Sequence, residues 1–100
     1  MLNWTDETSY SRNEKDRLPR VLECELFPNI KMTVHKHIHY GDEWLLSSEA
    51  AGFDKEQLGT ADINLAKRIA IRTMTERLKK KCAEFKAAIL ELECGSDNSQ

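Results

Sequence analysis

Residues 62–94 read DINLAKRIAIRTMTERLKKKCAEFKAAILELEC, a run without proline or glycine. Its apolar positions are Ile63, Ala66, Ala70, Met74, Leu78, Cys82, Phe85, Ile89 and Leu92. They advance three or four residues at a time, which keeps them on one side of an α-helix. The spacing predicts one helix over about 61–93. Thr60 stands where an N-cap belongs, and Asp62 lies in the first turn, where a carboxylate meets the unpaired amides. Gly95 ends the run, and residues 95–100 are expected to form a disordered tail.

Upstream the period changes from 3.6 to two. VLECELF (21–27) puts Leu22, Cys24 and Leu26 on one face and the glutamates on the other. Pro28-Asn29-Ile30 reads as a hairpin connection into KMTVHKHIHY, and Gly41-Asp42-Glu43 leads into WLLSS. The strands are expected at about 20–27, 31–40 and 44–48. A register with Phe27 opposite Lys31 places Glu25 opposite Thr33 and Glu23 opposite His35; beyond the second turn, Ile38 faces Leu46 and Tyr40 faces Trp44. Residues 49–59 are expected to fold as a crossover with a short helical turn at 54–58, anchored by Phe53 and Leu58. Residues 1–17 are polar except for Leu2, Trp4 and Tyr10, and read as a partly ordered segment pinned by those side chains.

The expected fold class is α+β: a three-stranded antiparallel sheet with one long C-terminal helix on one face, in a single domain over 18–94. The two parts differ in length. About thirty helical residues span roughly 45–50 Å. Strands of seven or eight residues reach about 25 Å. The far end of the helix therefore overhangs the sheet and carries Cys82, Phe85, Ile89, Leu90 and Leu92 into solvent. Soluble monomers seldom leave such a patch bare, so these five residues are the expected interface of a homodimer. The competing expectations are that Trp4 and Tyr10 fold back over the stripe, or that the helix breaks near Lys79, Lys80 and Lys81.

Composition narrows the class without naming an activity. The chain has 100 residues, 15 basic and 17 acidic, for a net charge of -2. Charge is unevenly placed: residues 1–62 hold twelve acids against seven bases, and residues 63–86 hold eight bases against two acids. Cys24, Cys82 and Cys94 are odd in number and show no ligand spacing, which fits reduced thiols in a cytoplasmic protein. The N-terminal stretch lacks the basic start and apolar run of a secretory signal, and no segment is apolar enough to span a membrane. No cofactor is implied.

His35, His37 and His39 alternate along the expected second strand and would share its uncovered face. With Glu23 beside them, His35 and His37 are admissible ligands for a small zinc or nickel site. The same face also admits a pairing of Glu23 with His35, or of Ser47 and Ser48 with His37, for acid–base or nucleophilic chemistry. An open sheet face offers neither a concave site nor oxyanion donors, so the expectation is no enzyme and no metal. The favoured reading makes Glu23, Glu25, His35, His37, His39, Asp42 and Glu43 a polar surface for a macromolecular partner, a protein before a nucleic acid. The nucleic-acid alternative uses Lys67, Arg68, Arg72, Lys79 and Lys86, taken to line the helix opposite its apolar stripe.

A short chain of this architecture without a catalytic signature is similar in kind to the small accessory proteins of phages and other mobile elements. That likeness implies a non-enzymatic protein that inhibits or modulates a larger host complex, including a nucleic-acid-processing one engaged through the acidic surface.

Overall fold

The computed structural model describes residues 2–10, 12 and 18–98. It is α+β, a five-stranded antiparallel sheet in plain sequential order followed by one long helix. The strands are β1 (Trp4–Asp6), β2 (Val21–Phe27), β3 (Ile30–His35), β4 (Leu45–Ser48) and β5 (Phe53–Gln57); the helix, α1, is Ile63–Asn98. It crosses the inner face of β3, the middle strand.

The inner face is the one the alternation of β2 and β3 requires. Cys24 lies opposite Met32 and Leu22 opposite Val34, and all four are buried. Leu46 continues the row opposite Val34, and Trp44, Phe53 and Leu58 complete it. Against this floor the helix sets Ala66, Ala70 and Met74. The two alanines are fully buried, and their small side chains allow the helix axis close to the sheet.

Five strands stand where three are expected, because neither edge strand carries a regular alternation. β1 has three residues, too few to show an alternation, yet Trp4 pairs with Cys24 and packs on the core from the side. Tyr10, the other pinning residue, donates its hydroxyl proton to Asp6 at 2.6 Å. β5 replaces the expected helical turn at 54–58. Phe53 and Leu58 are five residues apart, which in a regular strand puts them on opposite faces. The irregularity between Leu46 and Ser48 resolves this. Lys55 adopts a left-handed φ of 53°, shifts the alternation by one, and lets both apolar side chains reach the core.

The register of β2 with β3 differs from expectation by two residues: the tighter turn, with Phe27 opposite Ile30, accounts for one, and the irregularity between Glu25 and Phe27 for the other. Glu23 therefore faces Thr33, and Val21 faces His35. β3 also stops at His35 and does not reach Tyr40. Trp44 is held elsewhere: its backbone N–H donates to the Thr60 carbonyl at 2.9 Å and its indole N–H to the Ala61 carbonyl at 2.9 Å. The Lys36 N–H still donates to the Arg20 carbonyl at 2.9 Å, but with Trp44 tied to the helix entry no strand pairing continues beyond it among the described residues. Ile38–Tyr40 close instead into a 3-10 turn.

The helix starts and stops later than expected. Asp62 is the N-cap, accepting the Asn64 amide at 3.1 Å, while Thr60 accepts the amide of Asp62 itself. At the far end the helix runs through Gly95 to Asn98, so the expected tail is helical up to that point; its last two residues lie outside the described ones, as does most of 11–17. It is continuous past the lysine run at 79–81. The molecule measures 69 × 28 × 25 Å. No helix among the described residues is long and apolar enough to cross a membrane.

Candidate interaction surfaces

The first surface is the unsupported half of the helix. Burial ends at Met74, Leu78 still leans on the core, and residues 82–95 are all exposed. From Leu78 to Asn98 the rod projects about 30 Å. Phe85 is 66 % exposed, Ile89 52 % and Leu92 72 %. These three prolong the stripe that Ala66, Ala70 and Met74 begin, so one face is buried over its first half and bare over its second. Leu90, though exposed, is 200° of helical turn from Leu92 and stands on the opposite side, away from the expected interface. Trp4 does not cover the overhang. It lies over the supported half, with the Lys67 ammonium 5.5 Å from its ring centre.

The basic residues divide accordingly. Lys67 is turned to Trp4 and leaves the expected row. Arg77 is also structural: its guanidinium donates to the Ala51 carbonyl at 3.0 Å and stacks 4.2 Å from the centre of Phe53. Arg68, Arg72, Lys79 and Lys86 are exposed and fall within about 40° of one another, behind the helix where it lies on the sheet and beside the apolar stripe along the overhang. Among the described residues none of these four, nor Glu91 or Glu93, forms an ion pair.

The second surface is the outer sheet face. An open groove of about 800 Å³ is lined by Glu23, Lys31, Thr33, Ser47, Glu49 and Asp54, among others. Glu23 is held 3.5 Å from the Lys31 ammonium. The groove is acidic in balance, and of the expected partner-binding residues it contains only Glu23. Glu25 is exposed beside it, opposite Lys31.

The histidines do not form a row. His35 faces Ser47, its Nε2 2.8 Å from the hydroxyl. His37 and His39 lie beyond the strand, with ring centres 5.1 Å apart, and Nδ1 of His37 accepts the His39 amide. No cluster of three potential metal ligands occurs among the described residues. Glu43 accepts the Gly59 amide at 2.7 Å and so braces the β5–helix connection, whereas Asp42 is exposed on its turn.

Among the described residues Ser47 with His35 is the one serine–histidine contact, and its surroundings are set by the bulge. The left-handed Lys55 turns its amide to the Ser47 hydroxyl at 3.0 Å. The hydroxyl keeps its proton and a second lone pair for Nε2 of His35, and it is the donor when the ring is neutral with Nε2 bare. Burial lowers the pKa of His35 and favours this neutral form; the ring contact with the Lys36 backbone opposes the shift, and the charges of Lys55 and His37 add to it. The pair joins β3 to β4, and the Lys55 amide ties β5 to the same hydroxyl, so it braces the three strands. Neither the Ser47 brace nor the bulge beneath it was legible in sequence, because a left-handed lysine has no residue-type signature.

No protein-family model, no curated protein and no solved structure matches this chain. The functional reading therefore rests on its surfaces.

Proposed function

We propose that the protein is a non-enzymatic protein-binding module whose first partner is a second copy of itself. The observation that carries this reading is the bare continuation of the core stripe through Phe85, Ile89 and Leu92. A helix extended only to be wet would be polar on all sides beyond its support, and this one is not. An isolated helical stretch of this length is marginal in water, so covering the stripe also stabilises the helix itself.

The contact is small. A strip about 25 Å long and 10–12 Å wide amounts to roughly 300 Å² of projected area per copy, against about 800 Å² per partner in a standard interface. The dimer is accordingly weak and concentration-dependent. Sedimentation equilibrium of the full chain from low micromolar to near-millimolar concentration tests it: a monomer–dimer equilibrium is expected, and a single monomer mass throughout refutes it.

A second reading is favoured by the basic residues of the same helix. Arg68, Arg72, Lys79 and Lys86 form an exposed basic side with no ion pairs among the described residues. Such a side suits a phosphate backbone. Titration of duplex DNA and RNA at two salt concentrations tests this, and absence of binding at low salt removes it.

A further inference from the structure

The overhang has a polarity of charge as well as a greasy face. Lys79, Lys80 and Lys81 sit at its base, next to the sheet, and Glu91 and Glu93 sit toward its tip. None has an ion-pair partner among the described residues.

The apolar stripe is spaced 78, 82, 85, 89, 92, alternating four and three, which is the heptad seam of a two-helix coiled coil. Lys79, Lys86 and Glu93 recur every seven residues and so run along one flank of that seam. Lys81, Ala88 and Gly95 run along the other. The relative direction of two such helices decides which charges meet. In a parallel pair the two flanks face each other about one heptad apart, so Lys81 meets the partner's Lys86, twice by symmetry, Ala88 meets the partner's Glu93, and no opposite charges are joined. In an antiparallel pair Lys79 meets the partner's Glu93, twice by symmetry, and only Lys86 meets its like. On the other flank the antiparallel axis falls near Ala88, whose methyl group allows close approach.

Resting on the self-association proposed above, we infer that the two copies pack their overhangs antiparallel, with Phe85 beside the partner's Ile89 and the Lys79 ammonium beside the partner's Glu93. The seam then has four layers, Cys82 against the partner's Leu92 at each end and Phe85 against the partner's Ile89 twice in the middle. The two sheets stand at opposite ends of a rod about 110 Å long, given a protomer of 69 Å and an overlap of about 30 Å. Each acidic outer groove is repeated at the far end, so the assembly is a two-headed spacer and not a compact pair.

Spin labels at Asn64, an exposed residue on the first turn, read the direction. Cys82→Ala and Cys94→Ser remove the exposed thiols, while buried Cys24 stays. Antiparallel packing gives a label separation of about 70 Å, and parallel packing about 20 Å or less. A dimeric mass with the short distance overturns the direction and leaves self-association standing; a monomeric mass of the unsubstituted chain at every concentration overturns both.

Charge exchange supplies an independent check on the unlabelled chain. Lys79→Glu or Glu93→Lys alone should raise the dissociation constant about two- to fivefold, and the double variant should recover it. A double variant weaker than either single one overturns the proposed pairing.

Discussion

Phe85→Asp separates the assembled state from the fold of a single copy. In the protomer Phe85 is 66 % exposed and belongs to no core cluster, so its replacement removes little that holds one chain together. The helix loses a few tenths of a kcal/mol in intrinsic propensity. In the dimer the same side chain fills two layers related by symmetry. Burying a phenylalanine fully is worth about 2–3 kcal/mol. With two thirds of it still to be covered, each layer contributes about 1.5 kcal/mol and the pair about 3. A carboxylate forced into an apolar seam adds to that loss. The dissociation constant should therefore rise at least about 100-fold. Sedimentation equilibrium gives the constant, and thermal unfolding at a dilution where both proteins are monomeric gives the protomer's stability. Dimerisation as tight in the variant as in the parent refutes the role of this face; a large drop in monomer stability refutes the claim that Phe85 stands outside the core.

Three further outcomes follow from the sheet. His35 holds its proton less readily in the fold than the ordinary value of 6.5, because burial disfavours the charged ring. The unfolded chain then binds more protons, so this contribution is complete above pH 6.5 and declines as the pH falls from there through the folded pKa. His35→Gln should flatten that part of the stability–pH curve, and an unchanged slope would show that another group governs it. Trp44→Phe removes the indole bond to Ala61 and should cost about 1–2 kcal/mol by denaturant unfolding, no loss meaning that the tie to the helix entry is dispensable. Lys55→Gly relieves the left-handed φ of 53° and should stabilise the chain by up to about 1 kcal/mol; destabilisation would show that the lysine side chain outweighs its backbone cost.

How much of this was legible depended on whether a residue's neighbours in space were also its neighbours in pattern. The helix and its buried side were visible because Ile63, Ala66, Ala70 and Met74 keep helical spacing, and β2 with β3 because Cys24, Met32 and Val34 keep period two. β1 is too short to have a period. β5 hides its period behind Lys55, whose left-handed turn reconciles Phe53 with Leu58. The extent of β3 depended on Trp44, and nothing local to that residue announces that its indole will bind the carbonyl of Ala61, seventeen residues on. The histidines failed as a set for the same reason. Once β3 ends at His35, regular alternation no longer relates His35 to His37 and His39.

The overhang, by contrast, is encoded by a change of residue size within an unchanged period. Where the stripe meets the sheet its buried positions are Ala66, Ala70 and Met74, small or pliant side chains that let helix and sheet approach, with Ile63, Ile69, Ile71 and Leu78 packed around them. Where it passes the sheet's edge it becomes Phe85, Ile89 and Leu92, large side chains with nothing opposite them in the protomer. A helix end evolved only to remain solvated would have lost its apolar period along with its support. Keeping the period while enlarging the side chains is the pattern of a face that meets another helix at the wider spacing of about 8–10 Å that bulky residues set. The uncompensated charges at the two ends of the same segment, lysines at the base and glutamates at the tip, then favour a partner running in the opposite direction, and a second copy of this chain carries the complementary order.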